Sequence, residues 1–199
     1  MELGDAVRRR RMVRNFTDEP VAPEVVDALL DLARRAPSAG NSQGWHFLVL
    51  EGPEQTSRFW DVTLPPERRD GFRWPGLLRA PVIVLPMADA GAYVARYAED
   101  DKARTGLGAS EDAWPVPYWV VDTAFATMTL LHAVVDAGLG ALFFGIFREE
   151  ERLLRSLGVP EGIRPIGAVA IGHPAPDEPG RSAARPRRPA DQVVHRGGW

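Results

Sequence analysis

The chain of 199 residues contains no cysteine. That absence excludes a disulfide framework, a thiolate nucleophile, an iron–sulfur cluster and a thiolate zinc site, and it is compatible with a reducing compartment. Long apolar runs are scarce as well: no stretch of sequence approaches the roughly 20 residues needed to span a bilayer. Residues 1–11 are acidic and then strongly basic, unlike a secretory signal, so a cytoplasmic location is expected. Neither charge sign dominates. A formal net charge of −3 carries no global signature of nucleic-acid or membrane binding, and neither partner is expected. The four histidines, His46, His132, His173 and His195, are widely spaced and read as structural, so no metal is expected. There is no internal repeat.

What is present suffices for one substantial core, since 45% of the residues are hydrophobic, and one domain over residues 1–199 is expected. Helical spacing runs through residues 23–36, with Val25, Leu29, Leu32 and Ala36 as one stripe and Pro23 at the first position. A longer pattern follows over 119–137, through Val121, Phe125, Met128, Leu131 and Val135, with Gly138 as its cap. Strands are predicted at 45–50, 82–85, 141–147 and 166–171, and a helix at 149–157. Residues 93–102 suggest a short helix, 105–117 a loop, and 51–76 irregular or short helical structure. This order suggests an α+β or three-layer domain with helices against a central sheet. From residue 173 to 199 the chain turns rich in Pro, Arg and Gly, and reads as a C-terminal arm that cannot build its own core.

Three segments offer chemistry. Residues 8–14 hold a dense arginine cluster, suited to bidentate phosphate binding but also readable as a solvated basic arm. Residues 37–45 form a small polar loop between a helix and a strand. Its hydroxyl, amide and backbone groups suit the edge of a planar heterocycle, although an ordinary turn has the same composition. Residues 138–147 make an apolar strand with glycine where a backbone might approach a ligand; most of its side chains read as core. Gly138-x-Gly140 lacks the third glycine and the acidic partner of a dinucleotide fingerprint.

Order joins these segments. Arg10-Arg11-x-x-Arg14-x-Phe16, then Ala36-Pro37-Ser38-x-x-Asn41-x-Gln43-x-Trp45, then Asp136-Ala137-Gly138-Leu139-Gly140 leading into Phe143-Phe144-Gly145, and finally Arg185-Pro186-Arg187 together resemble the FMN-dependent nitroreductase family. The resemblance spans most of residues 7–195 and is least evident between 52 and 119. It implies an α+β, three-layer α/β/α domain with a mostly antiparallel sheet, in an interlocked homodimer with FMN at the interface. It also implies NADH or NADPH as reductant and a nitroaromatic, quinone or similar small-molecule electron acceptor.

Carried over by position, Arg10 and Arg14 hold the FMN phosphate, with Arg11 and Met12 adding neighbouring contacts and Arg185 and Arg187 completing the clamp from the arm. Pro37, Ser38, Ala39 and Asn41 come from the partner subunit. Phe143 and Phe144 lie along the flavin, and the Gly145 N–H faces its N5. No catalytic side chain is implied. Two positions depart from the pattern: Met12 stands where Ser is common, and Gly44 where Pro commonly precedes Trp, which suggests a looser loop. Other flavin reactions on the same fold, or flavin binding without turnover, stay open. The aromatic stretch 114–119, with Tyr93 and Tyr97, either shapes a substrate pocket or packs in the core.

Overall fold

A computed structural model describes residues 1–176 and 180–199. At its centre lie five strands: β1 (Trp45–Glu51), β2 (Val82–Asp89), β3 (Gly140–Phe144), β4 (Ile163–Pro165) and β5 (Ala168–Gly172). The order is β1-β2-β5-β3, with β4 also on β2. All pairings between these strands are antiparallel. β2 extends beyond the expected 82–85 because Pro86 does not interrupt it. The Pro86 carbonyl accepts from Ile166 N–H at 3.0 Å, at the junction between β4 and β5, so the missing donor falls where that ladder is already broken.

Strand alternation divides the core in two. On one face Ile83, Leu85 and Met87 of β2, Leu142 of β3, and Ala168 and Ala170 of β5 meet Phe59 and Trp60 of α3 (Gly52–Thr63) and Leu153 of α6 (Glu150–Ser156). On the other, Val82, Val84, Ala141, Val169 and Ile171 meet Val26 and Leu29 of α2 (Pro23–Ala33) and Leu130 and Val134 of α5 (Tyr118–Asp136). This is the expected three-layer α+β arrangement. Two further helices, α1 (Leu3–Arg9) and α4 (Ala90–Tyr97), complete the described set.

Several elements correct the sequence expectations. Within 51–76, expected to be irregular or short helical, α3 is a regular helix of 12 residues: Gly52 and Pro53 open it, and Thr56, Phe59 and Trp60 are its buried residues. Proline is tolerated in a first turn because its missing N–H would be unpaired there anyway. α2 stops at Ala33, and its buried stripe is Val26, Leu29 and Ala33, while Val25 and Leu32 are exposed. Arg34 and Arg35 reach back to Asp31 and hold its carboxyl below the ordinary range.

α5 also differs from the expected single stripe. Leu130, Leu131 and Val134 face the core, whereas Phe125 and Met128 are exposed. Being apolar on two faces, its 19 residues reach a mean hydropathy of 1.3, so by length and composition this helix could cross a membrane. The expectation that no stretch is long and apolar enough is therefore corrected. Packing of one face against the sheet accounts for much of that composition. Gly138 ends the helix with φ of 75°, as expected for a left-handed cap.

The start of the C-terminal arm is tied to the N-terminal segment. Thr17 N–H donates to His173 O at 3.0 Å and Ala175 N–H to Asn15 O at 2.9 Å, flanking a bridge between Phe16 and Pro174. Residues 177–179 of the expected arm lie outside the described residues. From 183 onward the arm is exposed.

Candidate functional site

The arginine-rich segment leaves α1 at Arg10 and runs beside the outer edge of β3. Val13 N–H donates to Ala141 O at 2.9 Å, and Met12 forms a parallel bridge with Ala141. Gly140 makes the approach possible, since a Cβ there would stand 2.9 Å from Val13 Cγ2. This glycine therefore serves chain-to-chain packing rather than a ligand. Met12 acquires a role of its own: its Sδ lies 3.5 Å from the Phe143 N–H and caps that donor weakly where a hydroxyl would be expected.

Ala141 and Phe143 both turn their backbone groups to this edge. By strand alternation the next residue doing so is Gly145. β3 ends one residue earlier, at Phe144, and the Gly145 N–H has no acceptor among the described residues. Gly145 lines a cleft of about 410 Å³ together with Arg14, Trp74, Phe143, Phe144 and Arg148. Arg14 donates to Met12 O at 2.9 Å, and its guanidinium lies 5.4 Å from the centre of the Trp74 ring. Arg73 lies over the same ring at 4.5 Å. Among the described residues lining the cleft there is no acid. Aromatic walls, two cations and an open backbone donor form a site for a planar, anionic ligand, and the volume lies within the range of small-molecule pockets.

Phe143 and Phe144 point to opposite faces of the sheet, as neighbouring strand residues must. Phe144 packs on Phe59 and Trp60, its ring parallel to Trp60 at 5.8 Å, whereas Phe143 packs with the α2–α5 layer. What they present jointly is their backbone and the cleft wall, so both rings cannot lie on one face of a bound flavin.

The other expected residues lie elsewhere. Arg10 is half-buried at the end of α1, while Arg11 is exposed. Arg185 and Arg187 are exposed and make no hydrogen bond or ion pair among the described residues. Pro37, Ser38, Ala39 and Asn41 do not line the cleft. They form a compact loop in which Gln43 N–H donates to Ser38 Oγ at 2.9 Å and Ser42 Oγ to Ala39 O at 2.7 Å. The cleft and the loop are thus separate within the chain.

Gly44 fits close packing rather than looseness. It is buried, its carbonyl accepts from Asp89 N–H at 2.9 Å, and a Cβ would meet Tyr93 Cε2 at 2.5 Å and Asp89 O at 2.9 Å. Gly44→Ala is expected to cost about 1–3 kcal/mol by overpacking. Thermal unfolding checks this, and an unchanged Tm would show that the ring yields freely.

The aromatic stretch behaves chiefly as packing. Trp114 is buried among Tyr93, Tyr97 and Trp119, and its indole N–H donates to Leu107 O at 2.9 Å. Sequence reasoning missed Trp74 and Arg148 in the cleft. Phe59 and Trp60 were legible only through helical spacing inside a stretch punctuated by Pro and Gly.

Comparison with known proteins agrees with this geometry. A family model described as the nitroreductase family matches residues 7–173. A protein of Archaeoglobus fulgidus is 30% identical over 193 residues, covering 96% of this chain and 94% of that one. The protein named FMN reductase [NAD(P)H] from Bacillus subtilis is 30% identical over 195 residues, covering 98% of this chain and 73% of that one. Among solved structures, a nitroreductase family protein from Streptococcus pneumoniae superposes with a TM-score of 0.76 at 20% identity, covering 98% of this chain and 100% of that one. Cleft, sheet and sequence point the same way, and the chain belongs to the nitroreductase family.

Proposed function

We propose that this chain is an NAD(P)H-dependent flavin oxidoreductase that binds FMN between the subunits of a homodimer and reduces a small acceptor such as a nitroaromatic or quinone. The observation that carries this reading is the Gly145 N–H, without an acceptor among the described residues, in an aromatic cleft that it shares with Arg14 and whose described lining holds no acid. The name of the Bacillus subtilis relative supports the same cofactor pair. The chemistry FMN supplies when bound is hydride transfer, accepted from NADH or NADPH and passed to the acceptor.

The chain's own part is to bind and orient. Arg10 and Arg14 would hold the phosphate, with Arg11 and Met12 beside them and Arg185 and Arg187 drawn in from the arm. The Gly145 N–H would donate at the flavin N5, a fixed dipole where charge develops. The walls from Phe143, Phe144 and Trp74 would exclude water. No side chain is assigned a proton-transfer role. Pro37, Ser38, Ala39 and Asn41 would serve the flavin of the neighbouring subunit. Exposed Val25 and Leu32 on α2 and Phe125 and Met128 on α5 give a second copy an apolar face to cover. A cytoplasmic setting suits a chain without cysteine.

Purified protein should be yellow, release FMN on acid treatment at one per subunit, scatter light as a dimer at low micromolar concentration, and oxidise NADH or NADPH with a quinone. Recovery of mainly FAD, or a flavin-loaded monomer, would overturn the site as proposed. Bound FMN without turnover on any acceptor would identify a flavin-binding protein instead.

A further inference from the structure

The loop at residues 37–44 holds more backbone strain than a surface connection needs. Gly40, Asn41 and Gln43 all adopt left-handed conformations, with φ of 59°, 55° and 50°. For residues with a Cβ that region is unfavourable, and it persists only where the surroundings impose it.

The surroundings are specific. Asp122 of α5 is 2% exposed. Its Oδ2 accepts from the Ala39 N–H at 2.8 Å and from the Tyr93 hydroxyl at 2.8 Å. Burial, together with the Asp122 hydrogen bond, raises the Tyr93 pKa well above its ordinary value, so the hydroxyl stays a donor at any working pH. On the opposite side of the same peptide pair, Arg96 Nε donates to Gly40 O at 2.9 Å. Arg96 is in turn clamped by both carboxyl oxygens of Asp101, at 2.6 and 2.8 Å. The segment Ala39–Gly40 therefore has its N–H on a carboxyl group and its C=O on a guanidinium. Tyr97 closes the remaining space, since a Cβ on Gly40 would lie 2.7 Å from its ring.

An acidic side chain inside an apolar helix is a poor choice for stability alone. Among the described residues no cation pairs with Asp122, so only these two hydrogen bonds offset the burial of its carboxyl group. One of its two hydrogen bonds holds the loop at Ala39, and the other holds Tyr93 of α4, whose ring packs against the loop's end at Gly44.

We propose that Asp122 is a positioning residue for the flavin site across the dimer: it fixes the Ser38–Asn41 backbone, through the Ala39 N–H and with Tyr93, in the form that meets the partner subunit's flavin. The inference rests on the dimeric flavin site proposed above.

Complementation in trans tests it. Asp122→Leu removes the acceptor, and Ala39→Pro removes the same hydrogen bond from the loop side without altering the core. Each homodimer is expected to bind FMN at least tenfold more weakly, whereas Asp122→Asn, which keeps an acceptor oxygen, should recover most of the loss. Arg14→Ala weakens FMN binding through the cleft instead. Differently tagged subunits are then mixed and the heterodimer of Ala39→Pro or Asp122→Leu with Arg14→Ala is isolated. Action on the partner's flavin leaves one site with both defects and one with neither, so one tight FMN per dimer and about half the parental turnover should return. Recovery also shows that both variants fold. Should no tight site return, Asp122 acts within its own subunit and the proposal fails; it fails equally if the homodimers of both loop variants bind FMN as the parent does. A parent dimer that binds no FMN would instead remove the flavin reading on which this rests.

Discussion

Replacing Arg10 and Arg14 together by Ala is expected to weaken FMN binding by about two orders of magnitude while changing riboflavin binding far less. Hydrogen bonds to charged groups are worth roughly 1.5–3 kcal/mol each, so losing two removes at least ~3 kcal/mol, and ~1.4 kcal/mol is a factor of ten. Riboflavin lacks the phosphate and serves as the control for packing, which matters because Arg14 also lies over Trp74. Fluorescence titration of apoprotein with the two flavins reads the difference. Equal losses for both would mean that these arginines hold the cleft together rather than the phosphate. The same titration on an Arg185→Ala, Arg187→Ala variant decides the role of the arm. Because both side chains are exposed, a tenfold selective loss of FMN requires the arm to close on the ligand, and parental affinity would leave it a solvated tail.

Phe16→Ala is expected to lower stability by about 3–5 kcal/mol, the usual range for emptying a buried Phe site. For a chain of this size that corresponds to roughly 10 °C in Tm. Phe16 is 0% exposed and packs in the α3–α6 core layer. Its backbone is a junction as well: its N–H donates to Gly76 O at 3.1 Å, and its carbonyl accepts from Arg79 Nε at 2.8 Å. The buried side chain thus holds in place a backbone that joins the arginine segment, the start of the arm and the 74–79 segment. The variant should bind FMN and riboflavin both more weakly, in contrast to the arginine variants, and Phe16→Leu should recover most of the stability. Unfolding of Phe16→Ala at the parental Tm would show that the N-terminal segment is not part of the cooperative core.

Much of the fold was legible because its signals are local. The periods of α5 and α2, the apolar strands at 82–85 and 166–171, and the glycine cap at 138 each rest on residues within a few positions of one another. The order of the arginine run, the polar loop and the Phe-Phe-Gly strand carried the family resemblance for the same reason. Which apolar face of α2 or α5 looks inward was not legible, because Val25 and Phe125 have the same composition as the residues that are buried. Only the position of the sheet separates a core face from one left for a partner. α3 was hidden by Gly52 and Pro53, whose breaker signal is local while the burial of Phe59 and Trp60 that overrides it is tertiary.

Composition and motif order by themselves determined the chemistry that this protein can and cannot carry: no thiol chemistry, a basic segment fit for phosphate, and a place in a flavin-binding family. The tertiary structure alone decided that Arg14 and Gly145 share a cleft which the loop at 37–41 does not enter, and that Asp122 lies behind that loop. Residues 39 and 122 are 83 positions apart, and no local pattern encodes a contact formed when α5 packs beside the loop that joins α2 to β1.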